Sequence, residues 1–176
     1  MARSILASSP GNPDFTAQTV PMAALTPLME EILARGGSVE LTVTGGSMEP
    51  MLHDRKSRVR LAPPRALQRG DLPLYRRDGG AYVLHRVIAV EPDGYTCCGD
   101  AQWTPERGIR PEQIIAVTER FARGARWTKT DSALYGAYWR LWLAIRPLRR
   151  LVLGGTRRVL RMLGIAKEAR GGCRRK

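Results

Sequence analysis

Apolar residues in the first part of the chain recur every three or four positions, which is the period of an amphipathic helix. Thr26 followed by Pro27 predicts the N-cap and the first helical position, and Gly36 with Gly37 predicts the end of the helix. We therefore expect a short N-terminal helix. Its apolar stripe comprises Met22, Leu25, Leu28, Met29, Ile32 and Leu33.

The period changes to two from Val39 onward, and Gly45 and Gly46 end this first predicted strand. Further strands are predicted at residues 58–61, 72–75, 82–90, 95–98 and 114–121. Glycine and proline separate these segments by short intervals, so successive strands should pair antiparallel. The pattern predicts a mainly β fold, a coiled antiparallel sheet or partly closed barrel, with a short N-terminal helix and a helical C-terminal region.

Three regions follow from these patterns. They are a flexible leader over residues 1–20, a β-rich domain over 21–125, and a basic amphipathic helical extension over 126–176. In the extension Pro147 is expected to kink the helix, and Gly154 with Gly155 to break it. The apolar stripe of the extension is Leu134, Tyr138, Leu141, Trp142, Ile145 and Leu148.

The charge balance is strongly basic, with 29 Lys and Arg against 16 Asp and Glu and a net charge of +13. Partners that carry negative charge are therefore favoured. In the C-terminal extension, aromatic residues lie among arginines, so this segment is either an interfacial helix on anionic lipid or a helix packed on the sheet. Nucleic acid is not the expected partner, because no recognisable binding module accompanies the basic residues.

The remaining bulk features bear on location. Cys97, Cys98 and Cys173 fit neither a disulfide framework nor a zinc site, which favours a reducing compartment. Neither a secretory apolar region nor a spanning run of about 18 apolar residues occurs. We expect a cytoplasmic protein, or one peripheral at the inner face of the membrane, without cofactor or metal. The oligomeric state stays open.

Ser47 is the first candidate for chemistry, because it follows a predicted strand directly in a turn that contains Gly45 and Gly46. Glycines let the backbone approach a substrate, and a serine at such a turn can present its hydroxyl with its own N–H facing an oxyanion. The alternative is an ordinary turn whose hydroxyl bonds to local backbone.

A serine nucleophile needs a base, and the chain has two histidines. His85 lies within a predicted strand, which is a rigid mount for a general base, whereas His53 lies in a predicted turn. Asp100, after the strand ending at Cys98, is the candidate for orienting the base, and Glu106 is the fallback.

Four segments, in their order and spacing, resemble the successive boxes of type I signal peptidases. Because His85 stands where the common bacterial enzymes have lysine, the resemblance is to the Ser/His branch of that family. It spans roughly residues 40 to 120. The boxes are Gly46-Ser47-Met48-Glu49-Pro50, Arg69-Gly70-Asp71, Tyr82-Val83-Leu84-His85-Arg86-Val87 and Gly99-Asp100-Ala101.

The resemblance implies Ser47 as nucleophile, His85 as base, and Asp100 or an acid just after it as the third member. It also implies substrate contacts around the nucleophile, at Gly46, Met48 and Pro50. The implied function is a serine endopeptidase that cleaves an extended signal- or leader-peptide-like segment of a preprotein. The alternative is a catalytically silent module that binds peptides or docks at the membrane surface.

Overall fold

The structure is a computed structural model, and it describes residues 3–6 and 19–146. The chain divides into two units, residues 1–140 and 141–176, and of the second unit the structure describes residues 141–146. All of the described strands and most of the second helix belong to the first unit.

The described part of the chain is mainly β, with two α-helices and one short 3-10 helix at Pro111–Gln113. The helices are α1 (Met22–Ala34) and α2 (Ala133–Ala144). The predicted fold class is confirmed. The strands are β1 (Arg3–Leu6), β2 (Thr19–Pro21), β3 (Val39–Thr42), β4 (Ser57–Ala62), β5 (Pro73–Arg76), β6 (Tyr82–Leu84), β7 (Arg86–Glu91), β8 (Gly94–Cys98), β9 (Glu106–Ile109), β10 (Ile114–Arg123) and β11 (Arg126–Lys129).

These strands form two antiparallel sheets. The larger sheet curls into half a barrel with the order β2-β1-β3-β4-β10-β5-β6, and β11 also pairs with β10. The smaller sheet has the order β7-β8-β9. Side chains of β4 alternate between buried and half-exposed, so one face of the larger sheet covers the core. That core includes Met22, Leu25, Met29 and Leu33 of α1 together with Leu41, Val59 and Leu61.

The prediction of one strand over residues 82–90 is wrong. β6 pairs with β5 in the larger sheet, whereas β7 pairs with β8 in the smaller one, and His85 lies between them. Backbone hydrogen bonds hold the start of β7: Gly70 N–H donates to Val87 O at 2.9 Å, and Val87 N–H donates to Asp71 O at 2.8 Å. His85 is therefore fixed where the chain passes from one sheet to the other.

The predicted start of α1 is also wrong, although its end is confirmed. Most of its predicted apolar stripe faces the core, but Leu28 is 54% exposed. The helix begins at Met22, and the Thr26 hydroxyl donates to Met22 O at 2.8 Å from inside the helix. Pro27 is an internal residue. At the end, Gly36 has φ +75° and its N–H donates to Leu33 O, a left-handed cap that glycine adopts without strain.

Four strands lie where the sequence predicts none. β1 and β2 occupy parts of the expected leader, and β1 pairs with both β2 and β3. β9 contains Gly108 and follows Pro105, which in sequence indicate a loop. β11 forms a hairpin with the end of β10, at the start of the predicted helical extension.

The helix predicted after Thr130 is present as α2. Within the first unit its aromatic side chains pack inward: Tyr135 is buried, and Tyr138 and Trp139 pack against the main core. The kink predicted at Pro147 and the break predicted at residues 154–155 lie outside the described residues. Neither described helix combines the length and apolar character needed to cross a bilayer.

A buried ion pair connects the parts of the fold that surround His85. The fully buried Arg86 donates from Nε and Nη2 to the two oxygens of Asp100, at 2.8 and 2.7 Å. Its Nη1 donates to the Tyr135 hydroxyl at 2.8 Å, and that hydroxyl donates to Gly70 O at 2.6 Å. Strand β7, the turn after β8, the turn at Gly70 and α2 therefore meet at one guanidinium.

We expect Tyr135→Phe to lower the free energy of unfolding by about 1–3 kcal/mol, because it removes two short buried hydrogen bonds and leaves Arg86 Nη1 and Gly70 O only their long mutual contact of 3.4 Å. Urea unfolding measures the effect. The matched control is Tyr82→Phe, since the Tyr82 hydroxyl has no hydrogen-bond partner among the described residues. Equal stability of the two variants would contradict the role given to the Tyr135 hydroxyl.

Candidate active site

A solvent-open cavity of about 230 Å³ lies between the segment that follows β3 and strand β6. Ser47 and His85 both line it. The remaining lining is mixed, with polar groups from Thr42, Thr44, Arg77, Tyr82 and Gln102. The apolar lining includes Leu41, Val43, Leu61, Leu74, Val83 and Leu84.

Ser47 is half-buried in the turn that follows β3. Glu49 N–H donates to Gly46 O at 3.2 Å, and Gly45 N–H donates to Asp54 Oδ1 at 2.8 Å. Gly45 has φ +90°, a conformation that favours glycine. Within the described residues, the backbone N–H of Ser47 has no hydrogen-bond acceptor.

The turn at Gly99 brings Ser47 and His85 together. Ala101 N–H donates to Ser47 O at 2.9 Å. A Cβ on Gly99 would lie 2.5 Å from Ser47 O and 3.1 Å from His85 Nε2, so both groups pack against the place where a side chain would stand. Among the described contacts, no hydrogen bond joins Ser47 Oγ to His85, which is common for catalytic pairs without a substrate.

His85 presents its other ring nitrogen to two oxygen atoms. Its Nδ1 lies 3.2 Å from the Tyr75 hydroxyl oxygen and 3.2 Å from Glu106 Oε1. Burial and the negative charge of Glu106 raise the pKa of Tyr75, so its hydroxyl keeps its proton at neutral pH. A proton on Nδ1 would be held by these oxygens, which leaves the lone pair of Nε2 on the side of Gly99 and Ser47.

Burial of the imidazole, which is 2% exposed, lowers the pKa of His85 from 6.5 to about 4. The negative charge of Glu106 acts in the opposite direction, and the positive charge of Arg77 adds to the lowering. His85 is therefore neutral at neutral pH, which is the state that a general base requires.

Glu106 is held in place by Arg77. Arg77 Nε donates to Glu106 Oε2 at 2.7 Å, and Arg77 Nη2 donates to Oε1. Burial raises the pKa of Glu106. The hydrogen bonds and charge of Arg77, together with the electrostatic effect of His85, outweigh burial and hold this pKa below its ordinary value. The carboxylate beside Nδ1 is thus ionised at neutral pH.

Asp100, the first choice for orienting the base, has a different contact in the structure. Both of its oxygens accept from Arg86, and the acid that contacts His85 Nδ1 is the fallback, Glu106. The physical reason is that Arg86 is fully buried and requires a buried counter-charge. Asp100 supports the site through that ion pair.

The three residues expected to contact substrate differ in position. Gly46 and Met48 line the cavity, although the Met48 side chain is buried in the main core. Pro50 is exposed and is not among the residues that line this cavity. Gly46 is therefore the member of this set best placed to meet a ligand.

Sequence reasoning missed the roles of Tyr75, Arg77 and Arg86. For Arg86 a signal existed, because an arginine within an apolar strand indicates a buried cation that needs an acid partner. For Tyr75 and Arg77 no local pattern indicates contact with His85 or Glu106, since these contacts depend on how the two sheets meet.

No protein-family model matches this chain, and no curated protein matches it. Assignment of the site therefore rests on its own residues and geometry. Ser47 and the neutral His85 line the cavity, and the ionised carboxylate of Glu106 contacts Nδ1 of His85 without lining it. This order of groups is suited to acyl transfer.

We expect the free energy of unfolding to fall as the pH drops from 6.5 to about 4. The unfolded chain takes up a proton on His85 near pH 6.5, whereas the folded chain takes it up near pH 4, so protonation favours unfolding between these values. The slope should be on the order of 1 kcal/mol per pH unit.

Urea unfolding at a series of pH values measures this slope. His85→Gln should flatten the slope in this window, whereas His53→Gln, which alters the exposed histidine, should keep it. An unchanged slope in His85→Gln would contradict the assignment of a buried, neutral imidazole.

Proposed function

We propose that the chain is a serine endopeptidase of the Ser/His signal peptidase type, which cleaves an extended signal- or leader-peptide-like segment. One observation supports this most. Ser47 O and His85 Nε2 lie against the same glycine, while Nδ1 of His85 contacts Glu106. The resemblance of the four sequence boxes supports the family.

In the proposed reaction, Ser47 Oγ attacks the carbonyl carbon of the scissile peptide bond and His85 Nε2 takes the hydroxyl proton. The tetrahedral oxyanion accepts a hydrogen bond from the Ser47 N–H, which has no acceptor among the described residues. The imidazolium then gives its proton to the departing amine, which leaves an acyl-enzyme. Water attacks the ester with His85 again as base, and the acid product and the free Ser47 hydroxyl result.

Glu106 is our candidate for the third catalytic role. Its Oε1 lies 3.2 Å from Nδ1, and its charge raises the pKa of His85 against the effect of burial. An orienting carboxylate holds the tautomer with the proton on Nδ1 and stabilises the imidazolium. Arg77, which donates two hydrogen bonds to Glu106, is a positioning residue for this acid.

The shape of the cavity supports an extended substrate. Its walls are the segment after β3 on one side and β6 on the other, and β6 is an edge strand of the larger sheet. An edge strand offers unpaired backbone groups to which an extended peptide can add. Apolar side chains such as Leu41, Val43 and Leu84 would favour apolar side chains near the cleaved bond.

We also propose a cytoplasmic location, and the alternative is a peripheral position at the inner face of the membrane. Cys97 and Cys98 are buried, and burial raises the pKa of the Cys97 thiol to about 12. Such thiols are inert and agree with a reducing compartment.

A serine-reactive acylating inhibitor, followed by intact mass measurement, tests the proposed nucleophile. We expect one adduct on the wild-type chain and none on Ser47→Ala or His85→Ala, because each substitution removes a partner of the acylation step. Ser38→Ala, which alters an exposed serine, is the matched control and should keep the adduct. An adduct that persists in Ser47→Ala would sink the assignment, and a wild-type chain that stays unlabelled would favour the silent peptide-binding module.

We expect Glu106→Gln to slow acylation on the order of 10²- to 10⁴-fold, because the amide neither stabilises the imidazolium nor fixes the same tautomer. The rate of adduct formation measures the effect at saturating inhibitor. Glu112→Gln, an exposed substitution, is the control. Equal rates for both variants would exclude Glu106 from the third role.

A further inference from the structure

The outer face of the larger sheet carries cations around one tryptophan. In β4, Val59 and Leu61 point to the core, so Arg58 and Arg60 point to the opposite face. Strand register brings residues of β10 and β11 onto the same face. We call this surface the basic face, and it comprises Arg58, Arg60, Arg120, Trp127 and Lys129.

Trp127 lies at the centre of the basic face. The guanidinium carbons of Arg58 and Arg60 lie 5.2 and 5.4 Å from the centroid of its ring, within cation–π distance. Ala122, which is paired with both Arg58 and Trp127, is fully buried beneath them. The small side chain of Ala122 leaves room for the larger side chains to meet above it.

The charges of the basic face are only partly balanced. Glu40 accepts from Arg60 at 2.6 Å and lies 4.0 Å from Arg58. Arg120 and Lys129 have no acid within salt-bridge distance among the described residues, although the exposed Glu119 is adjacent to Arg120 in sequence.

Strand register adds a cost to this arrangement. Arg120 is paired directly with Arg60 on one side and with Lys129 on the other. Like charges that face each other across strands destabilise a sheet. The face therefore gains from an anionic partner that supplies the missing negative charge.

We propose that the basic face binds the anionic headgroups of a phospholipid membrane surface. Arginine and lysine attract acidic lipids, and tryptophan favours the headgroup region of a bilayer. Proteins that bind single-stranded nucleic acid stack bases on open aromatic rings. The ring of Trp127 is instead occupied by two guanidiniums, which favours lipid over nucleic acid.

The described part of α2 turns three of its aromatic side chains away from solvent. The sequence places aromatic residues for an interfacial helix in that segment, but Tyr135, Tyr138 and Trp139 pack against the core of the β unit. Trp127, by contrast, is half-exposed and has two arginines over its ring. The proposal does not depend on the peptidase function.

Co-sedimentation of the full chain with vesicles tests the proposal, with phosphatidylcholine alone and with phosphatidylcholine plus phosphatidylglycerol. We expect binding only with the acidic lipid, and a loss of affinity on the order of tenfold in the double variant Arg120→Gln/Lys129→Gln. The matched control is Arg69→Gln/Arg107→Gln, which removes the same charge from exposed positions outside the face. Urea unfolding verifies that both variants fold.

Quenching of tryptophan fluorescence by brominated lipid gives a second readout. Trp127→Phe should lose most of the quenching, whereas Trp103→Phe should retain it. Equal losses of affinity in the two double variants, or no loss in either, would overturn the proposal. Tighter binding of a short oligonucleotide through Arg120 and Lys129 would also overturn it and assign the face to nucleic acid.

Discussion

The buried ion pair between Arg86 and Asp100 is the interaction on which the geometry of the site depends. Removing two charges from water costs several kcal/mol for each ion, and it is tolerated only when the remaining donors also find partners. Here the guanidinium is satisfied by both oxygens of Asp100 and by the Tyr135 hydroxyl. Loss of either charged partner would leave the other buried and uncompensated, at a cost of about 3–5 kcal/mol. The segments that carry these groups are therefore fixed relative to Arg86.

The same ion pair acts on both sides of the cavity through chain neighbours. His85 immediately precedes Arg86, so the pair fixes the backbone that carries the imidazole. Gly99 immediately precedes Asp100, and its missing side chain leaves room for Ser47 O and His85 Nε2. The ion pair between Arg86 and Asp100 holds the start of β7, which follows His85, and the turn at Gly99, which contacts Ser47 O. Ser47 and His85 therefore lie close to each other.

The elements that could be predicted from the sequence are those whose own local pattern of apolar and polar residues decides their structure. The stripe of α1 and the alternation of β3 and β4 were predicted because burial on one face imposes a period. β9 was missed because Pro105 and Gly108 indicate a loop, and pairing with β8 overrides that preference. The break at His85 was missed because β6 and β7 continue one alternation while they belong to different sheets. Ser47 and His85 were candidates from their surroundings in sequence, and both line one cavity, whereas the contact of Glu106 with His85 depends on the unpredicted β9.

Asp100 and Glu106 were both candidates to contact His85, and the burial of Arg86 decides which of them does so. Arg86 is fully buried and cannot be left without a counter-charge, so the equally buried Asp100 is taken by it. Glu106, which is partly exposed, meets both His85 and Arg77. Arg77 has two opposed effects: its hydrogen bonds fix the carboxylate, while its charge lowers the pKa of His85 that Glu106 raises. Because burial outweighs the charge of Glu106, the pKa of His85 stays near 4, below its ordinary value. In the proposed mechanism, Glu106 therefore acts mainly by orienting the proton on Nδ1 of His85. It also stabilises the imidazolium that forms when His85 takes the hydroxyl proton of Ser47.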